Sequence, residues 1–229
     1  MKKLVVLSGA GVSAESGIKT FRDSDGLWEN YDVRDVASIE GWYRDRKTVL
    51  NFYNDRRRQI EKAQPNEAHL IIAELQKWYD VVVATQNIDN LHERAGSKNV
   101  IHLHGEITKV RPEDREDSGI VDIGYKDVNF GDTDQRGVQL RPHIVWFGEA
   151  VPKLEEAAGE VSKADILLII GTSLAVYPAA GLVRYVNYGI PIYLIDPKRI
   201  DLDYNNFTQI QDVASKGMER LKELLLNKK

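Results

Sequence analysis

The chain of 229 residues begins with an apolar run that leads into a glycine-rich turn, Leu4-Val5-Val6-Leu7-Ser8-Gly9-Ala10-Gly11-Val12-Ser13-Ala14-Glu15-Ser16-Gly17. The apolar, β-branched run predicts a buried first strand. Gly9, Gly11 and Ala14 fit the G-x-G-x-x-G/A pattern of dinucleotide folds, in which the first glycine permits a tight turn and the second lets the backbone approach a pyrophosphate. Because such turns also occur without a ligand, the rest of the chain must decide the chemistry.

Composition excludes several classes of protein. The formal net charge is −4 with both signs mixed along the chain, so no basic field argues for a nucleic-acid partner. The chain has no cysteine, which excludes disulfides, thiolate zinc sites and a cysteine nucleophile. The first residues do not resemble a signal peptide, and no apolar run approaches the roughly 20 residues of a membrane span. We therefore expect a cytoplasmic protein with no membrane partner.

Apolar runs and helical patterns alternate along the chain. Residues 81–85, 140–149, 166–170 and 192–195 are predicted as buried strands, with further short strands near 120–123 and 208–211. Helices are predicted over about 152–162, 179–188 and 215–226, and a short helix over 89–96 that ends at a glycine. Strands that alternate with helices predict an α/β fold, a Rossmann-like parallel sheet with helices on both faces.

Two insertions are predicted to form a small domain. Residues 36–78 have a helical pattern that Pro65 interrupts, and Asn66 is the expected cap of the helix that follows. Residues 111–139 are polar and predicted to be loop-rich. The large domain is thus expected over about 1–32, 79–106 and 140–229, and the small domain over about 33–78 and 107–139. A dehydrogenase would instead place a second strand and an acidic residue about 20 residues after the glycines.

Small polar residues follow three of the predicted strands, at 8–14, 86–89 and 171–173. Parallel strands bring these segments to one edge of the sheet, which predicts a ligand cleft there. Asn87 and Asp89 also suit the cap of the next helix, and propensity alone favours that interpretation.

Histidines supply the candidate base. Residues 100–106 alternate like a strand, so His102 and His104 are expected on one face. His104 precedes Gly105, which leaves room for a substrate, and imidazole titrates near neutral pH. A metal site at the two histidines is not expected, because no cysteine and no acidic partner at fixed spacing completes it.

Tyr53 and Arg56 are three residues apart in a predicted helix and share a face. A hydroxyl and a guanidinium would together bind a carboxylate well. With Asp55, Arg57 and Arg58 as neighbours, however, the residues alone favour a solvated face.

Five motifs resemble those of the sirtuins in order and spacing: Gly9 to Arg22, Thr85 to His92, His102 to Gly105, Val145 to Glu149 and Gly171 to Ser173. Sirtuins are NAD-dependent protein-lysine deacylases. The segment Phe52-Tyr53-Asn54-Asp55-Arg56 is similar to the helix of the desuccinylase-like class. The resemblance implies that NAD is consumed, and that acetyl and also succinyl or malonyl groups leave lysine as O-acyl-ADP-ribose, with release of nicotinamide.

The resemblance also implies roles for individual residues. His104 would be the general base and Asn87 a second catalytic residue. Acyl-lysine peptide would contact Tyr53, Arg56 and the segment Val145, Trp146, Phe147, Gly148 and Glu149, pairing with it as an added strand. NAD would contact Gly9, Ala10, Gly11, Ser13, Ala14, Phe21, Arg22, Trp28, Gln86, Asn87, Ile88, Asp89, Gly171, Thr172, Ser173, Asp196 and Ala214.

The sequence departs from the family pattern at two places. Most sirtuins carry four zinc-binding cysteines in the interval that is Glu106 to Leu140 here, whereas this chain has none. We therefore expect no zinc, and an insertion that holds by packing alone or is partly mobile. Residues Ile195 to Lys198 replace the usual turn after the adenosine-side strand. ADP-ribosyl transfer, NAD hydrolysis and nonenzymatic sensing of NAD or ADP-ribose remain as alternative functions.

Overall fold

The computed structural model describes residues 1–19, 27–28, 31–115, 118–174, 176–200 and 203–227. The strands within these residues are β1 (Lys3–Ser8), β2 (Leu27–Trp28), β3 (Tyr31–Asp32), β4 (Asp80–Thr85), β5 (Val100–His102), β6 (Gly105–Pro112), β7 (Val121–Asp122), β8 (Leu140–Ile144), β9 (Ile166–Ile170), β10 (Ile192–Ile195) and β11 (Phe207–Ile210).

The α-helices are α1 (Val33–Val36), α2 (Ile39–Arg44), α3 (Arg46–Lys62), α4 (Glu67–Glu74), α5 (Leu91–Arg94), α6 (Leu154–Val161) and α7 (Ala214–Leu226). Among the described residues, three further segments are 3₁₀ helices: Ala10–Ser16, Leu75–Lys77 and Ala179–Tyr185. No helix in the described ranges is both long and apolar enough to cross a lipid bilayer.

A parallel sheet of six strands organises the molecule, in the order β11-β10-β9-β1-β4-β5. Chain order runs outward from β1 in both directions, which is the Rossmann arrangement with its switch point between β1 and β9. Ser8 is paired with Thr85 on one side and Ile170 on the other, so the turns that follow these strands start at the same edge. The predicted fold class is confirmed.

Helices cover both faces of this sheet. Leu4 and Val6 of β1 belong to a buried cluster with α4 and α7, whereas Val5 and Leu7 belong to a cluster with α6 and the 3₁₀ helix Ala179–Tyr185. This alternation follows from the opposite directions of successive side chains in a strand. A third buried cluster joins helices α1–α3 to β6 and β8.

The start of α4 is as predicted. The Asn66 side chain accepts a hydrogen bond from the Ala68 N–H, and His69 Nδ1 accepts one from the Asn66 N–H. Two backbone donors that would otherwise be unpaired at the helix start are thereby satisfied.

Polar contacts anchor the insertion between β6 and β8, which forms a three-stranded antiparallel sheet with β7. The Asn54 side chain of α3 donates to the Val128 carbonyl and accepts from the Val128 N–H, both at 2.9 Å. Arg136 bridges Asp114 and Asp134. The expectation that packing alone holds this segment was therefore wrong. The described residues contain no cluster of three metal-ligating side chains.

Several predicted element bounds were also wrong. Residues 100–106 are two strands, because Leu103 and His104 form a turn and Gly105 adopts a left-handed φ of 79°. The strand predicted over 140–149 ends at Ile144, and the 179–188 helix is a 3₁₀ helix that ends at Tyr185. Residues 111 and 112, predicted as the start of the loop-rich insertion, are the end of β6.

Candidate functional site

A cleft of about 560 Å³ opens at the carboxyl edge of the parallel sheet. The turns after β1, β4 and β9 form its floor, as the strand-end prediction requires. The lining residues from these turns are Gly9, Ala10, Ser13, Gln86, Asn87, Ile88, Asp89, Gly171, Thr172 and Ser173.

The two glycines of the first turn have different environments. Gly9 lines the cleft, and a Cβ there would lie 2.7 Å from the Thr172 Cβ. Gly11 packs behind it, where a Cβ would lie 2.8 Å from the Gly171 Cα. Their N–H groups donate to the carbonyls of Ile170 and Gly171, at 3.0 and 2.8 Å. Glycine is therefore required here by contact with the turn after β9, and not only by a ligand.

His104 lines the cleft and lies at the end of the turn between β5 and β6. Its Nδ1 is 3.1 Å from the Gln86 carbonyl, which only accepts hydrogen bonds. The proton of the neutral ring is thus on Nδ1, and Nε2 carries the basic lone pair. Burial lowers the pKa of His104 below its ordinary value, although the Gln86 bond opposes this. At neutral pH the side chain is a base.

A buried hydrogen-bond network fixes the two polar side chains that follow β4. The Asn87 amide donates to Ser13 Oγ at 3.1 Å, and Ser13 Oγ donates to the Asp89 carboxylate at 3.0 Å. Asp89 also accepts from the N–H of Leu91, the first residue of α5, but the N-cap residue is Asn90 and the Asn87 side chain makes no bond to the helix start, so the capping interpretation was wrong for Asn87. Burial raises the pKa of Asp89, although these two hydrogen bonds oppose it.

Tyr53 and Arg56 are buried, at 0% and 3% exposure, and both line the cleft. The solvated face that the residues alone favoured was therefore wrong. Trp146 Nε1 donates to the Tyr53 hydroxyl at 2.8 Å. Because that bond occupies an acceptor site of the hydroxyl, its own proton is available to a further group. Arg56 also donates to Gln59 at 3.1 Å.

A clamp of charged side chains holds the segment after β8. Arg141 makes two hydrogen bonds to Glu149, at 2.7 and 3.0 Å, and its guanidinium carbon lies 3.4 Å from the centre of the Trp146 ring. Glu149 also accepts from the Trp146 N–H at 2.8 Å. The chain turns at Gly148, which has a φ of 90°. Residues 145–149 are therefore a braced loop and not the predicted continuation of β8.

The Val145–Glu149 segment lines the cleft along its whole length. Its own backbone is partly engaged: the Val145 N–H donates to the His104 carbonyl and the Phe147 N–H to the Ala37 carbonyl. Phe147 is 52% exposed.

Four predicted cofactor residues lie outside the described lining of the cleft: Gly11, Ala14, Asp196 and Ala214. Asp196 is buried and accepts from the Lys198 N–H, and Ala214 begins α7. The predictions for Phe21, Arg22 and the Trp28 side chain fall outside the described residues.

Sequence analysis missed the apolar wall and part of the rim. Ile18, Val33, Ala37 and Ile60 line the cleft, and Tyr177, which is 64% exposed, lies at its edge. These residues were missed because the sequence spacing of buried aliphatic residues is the same in a cleft wall as in a hydrophobic core. The sequence did offer one signal for the rim, the pair Tyr177-Pro178, which comes shortly after the glycine turn at Gly171.

The chain matches the family model described as "Sir2 family" over residues 9–178. A protein of Bacteroides thetaiotaomicron named NAD-dependent protein deacylase is 52% identical, with 99% of each chain covered. A protein of Helicobacter pylori with the same name is 57% identical, with 86% of each chain covered.

Solved structures of Sir2 proteins are also similar to this chain. A Sir2 homologue mutant in complex with ADP-ribose superposes with a TM-score of 0.89 at 38% identity, covering 99% of this chain and 93% of its own. A Sir2 homologue in complex with NAD superposes at 0.88 with 39% identity, covering 99% of this chain and 90% of its own. A Sir2 variant with a deacetylated p53 peptide and 3′-O-acetyl-ADP-ribose superposes at 0.80 with 31% identity, covering 97% of this chain and 93% of its own. The chain belongs to the Sir2 family.

Proposed function

We propose that this chain is an NAD-dependent protein-lysine deacylase. The observation that carries the proposal is the position of His104, whose Nε2 is a free base in a cleft built from three strand ends of a Rossmann-like sheet. The names of the relatives, NAD-dependent protein deacylase, support the same activity.

The residues of the cleft fit NAD. Its volume is within the roughly 300–1,000 Å³ of small-molecule sites, and Gly9, where a Cβ would collide with Thr172, contributes only backbone to the lining. Gly9, Ala10, Ser13 and Thr172 would hold the phosphates and the adenosine side. Gln86, Asn87 and Asp89 would hold the nicotinamide ribose and carboxamide. Bound NAD would supply a ribose carbon with nicotinamide as its leaving group.

His104 would accept a proton at Nε2 from a ribose hydroxyl. The Gln86 carbonyl holds the imidazole in the tautomer that this step needs, and it stabilises the imidazolium that forms. Apolar residues on the wall, among them Ile18, Val33 and Ile144, exclude water that would compete with the acyl group.

The protein substrate would lie along the Val145–Glu149 segment. The clamp of Arg141 and Glu149 fixes the backbone of this segment before a peptide arrives, which lowers the entropic cost of binding. The exposed Phe147 and Tyr177 rings provide apolar surface at the cleft edge, where the stem of an acyl-lysine would enter.

An acidic acyl group would suit the part of the cleft that Tyr53 and Arg56 line. The Tyr53 hydroxyl has its proton available because Trp146 already donates to its oxygen. Arg56 adds a buried positive charge on the same helix face. A hydroxyl and a guanidinium would bind the distal carboxylate of a succinyl- or malonyl-lysine, so we infer that such groups are removed along with acetyl.

The test is NAD-dependent deacetylation of an acetyl-lysine peptide by wild type and His104→Ala. Loss of a general base lowers kcat/KM by about 10²–10⁴-fold. His143→Ala is the matched control, since this half-buried histidine of β8 is not among the described residues that line the cleft. Equal rates for wild type and His104→Ala would contradict the proposal.

The alternative functions give other products. Transfer of ADP-ribose would add its mass to the peptide, and NAD hydrolysis would release nicotinamide without any loss of the acyl group. A nonenzymatic sensor would bind NAD in a calorimeter and release no nicotinamide with any peptide.

A further inference from the structure

His102 lies at the end of β5, and its ring contacts two groups that can only accept hydrogen bonds. Nδ1 is 3.2 Å from the Asn87 carbonyl, and Nε2 is 2.6 Å from the Glu93 carboxylate. The side chain is 8% exposed. Because a neutral imidazole carries one proton, it can satisfy only one of these acceptors. Both bonds exist together only when the ring is an imidazolium.

The charges around the ring favour that state. Glu93 of α5 makes the direct contact, and Glu106 of β6, which is paired with Lys109 at 2.6 Å, adds a second nearby carboxylate. Burial opposes the charge, but the hydrogen bond and the charge of Glu93 outweigh it, so the pKa of His102 lies above its ordinary value. The other neighbours are the buried Asp89 and His92, and burial keeps the pKa of His92 well below its ordinary value.

Asn87 is anchored at three points. Its N–H donates to Thr85 Oγ1 at 3.0 Å, its side-chain amide donates to Ser13 at 3.1 Å, and its carbonyl accepts from His102. The hydroxyl groups of Thr85 and Ser13 keep their protons over the pH range in which an imidazole gains or loses one, so His102 is the titrating partner of Asn87. The orientation of the peptide unit between Asn87 and Ile88, both of which line the cleft, therefore depends on a protonated ring.

We propose that His102 is a positioning residue, which holds the Asn87 carbonyl through Nδ1–H and does so only as an imidazolium. When the ring loses a proton, the remaining one stays at Nε2, because the anionic Glu93 is the stronger acceptor. The Asn87 carbonyl then loses its donor. Enzyme activity should fall on the alkaline side as the pH rises through the pKa of His102.

This inference rests on the proposed deacylase function for its kinetic test, and a second measurement is independent of it. In the protein without NAD, NMR would follow the His102 ring and the Ile88 amide, whose nitrogen shares the peptide bond with the Asn87 carbonyl. We expect both signals to titrate with one midpoint, above the ordinary pKa of histidine. In His102→Asn the Ile88 signal should not titrate in this range. If the NMR signal of the Ile88 amide in wild type does not change as the His102 ring titrates, the proposal is overturned.

In the kinetic test, two conservative substitutions of His102 each keep a donor at only one of its two hydrogen bonds, the one to the Asn87 carbonyl or the one to Glu93. The Asn amide nitrogen reaches the position of Nδ1, and the Gln amide nitrogen reaches that of Nε2. At neutral pH, His102→Gln should lower kcat by about tenfold or more, whereas His102→Asn should stay closer to wild type and lose the alkaline fall. The KM for NAD should change less than kcat. Equal losses in the two variants, with the alkaline fall unchanged in both, would contradict the proposal.

Glu93→Gln keeps an acceptor at Nε2 and removes the charge that stabilises the imidazolium. The pKa of His102 should then drop, and the alkaline fall in rate and the Ile88 midpoint should both move to lower pH. This variant also answers the question if the His102 variants fold poorly. Unmoved midpoints in Glu93→Gln would overturn the proposal. A wild type that shows coupled NMR titrations and no deacylation would contradict the proposed function and leave the His102 assignment supported.

Discussion

Individual side chains determine the acid–base properties of the cleft. His104 acts as a base only when neutral, and burial lowers its pKa below 6.5. We therefore expect the acidic limb of the kcat/KM profile to have its midpoint below 6.5. A profile measured with acetyl-lysine peptide checks this value, and an acidic limb centred above 6.5 would mean that His104 is not the controlling group.

Arg56 provides a test of acyl selectivity. Arg56→Met removes the charge proposed to bind the distal carboxylate while keeping much of the side-chain volume. Loss of a hydrogen bond to a charged group costs about 1.5–3 kcal/mol, so kcat/KM for a succinyl-lysine peptide should fall more than tenfold relative to acetyl-lysine.

Arg58→Met is the matched control, because this arginine is on the same helix and pairs on the surface with Asp55 and Asp127. It should leave the ratio of the two rates unchanged. If Arg56→Met lowers kcat/KM equally for both substrates, Arg56 supports the fold and does not recognise the acyl group.

Sequence analysis predicted that Tyr53 and Arg56 share one helix face, but it did not predict that both side chains are buried. Three arginines and an aspartate at 55–58 look solvated on composition. The structure buries Arg56 and Arg57 and leaves Asp55 and Arg58 outside. Arg57 is held inside by hydrogen bonds to the Ile107 carbonyl and to Asn54, and Arg56 lines the cleft. Such contacts between distant segments leave no local pattern in the sequence.

Among the structural elements, the braced loop at residues 145–149 depends on the ion pairs of Glu149, with Arg141 at 2.7 Å and with Arg111 at 3.4 Å. Arg141 and Glu149 have side chains that are 1% and 14% exposed. Glu149→Gln would leave a buried guanidinium without its counter-charge, which should lower the free energy of unfolding by on the order of 3 kcal/mol. Chemical denaturation measures this loss. Glu156→Gln, which removes an exposed pair with Lys153, should cost little.

The pH dependence of the Arg141–Glu149 pair follows from the direction in which the pKa of Glu149 is shifted. Burial alone would raise the pKa of Glu149, but the hydrogen bonds and charge of Arg141 lower it below 4.5. The pair therefore stabilises the fold fully above pH 4.5, and this contribution is lost as the pH falls through the depressed pKa. The stabilities of wild type and Glu149→Gln should converge in that acidic range. A constant difference down to the lowest pH would contradict the ionic account.

The cysteine-free insertion depends on Asn54. Asn54→Ala would leave the Val128 N–H and carbonyl without their partner, along with one donor of Arg57. Hydrogen exchange in the 113–139 segment should become faster, with about 1–3 kcal/mol lost from global stability for each buried group left unsatisfied. Asn51→Ala, on the exposed side of the same helix, is the control. Unchanged exchange in Asn54→Ala would show that another contact anchors the insertion.

Local sequence patterns predicted elements well where the hydrophobic period and caps were clear. The Asn66 cap of α4 and the strands β1, β4, β9 and β10 are examples. The breaks at Gly105 and Gly148 were missed, because the alternation of Leu103 and Ile107 continues across Gly105 and the apolar run 144–147 continues up to Gly148. Positive φ at these glycines redirects the chain, and only tertiary contacts, such as the His143 carbonyl 2.0 Å from a Cβ placed on Gly105, reveal it.

For the whole molecule, alternation of strands and helices was enough to predict the parallel sheet and the edge where the cleft lies. Three polar strand ends had to meet there once the strands were parallel. Asp196 and Ala214, which the sequence places after strands on the other side of the sheet, lie outside the described cleft lining, and their contact with the adenosine half of NAD stays a prediction. Strand topology fixes an edge, whereas the depth of each side chain depends on packing.

The most direct test of the central proposal is a mass balance by mass spectrometry. Wild-type protein would be incubated with NAD and an acetyl-lysine peptide, and the products counted over time. We predict equal amounts of nicotinamide, deacetylated peptide and O-acetyl-ADP-ribose, with none of the three formed without NAD. Nicotinamide released together with free ADP-ribose and an intact acetyl-peptide would contradict the account.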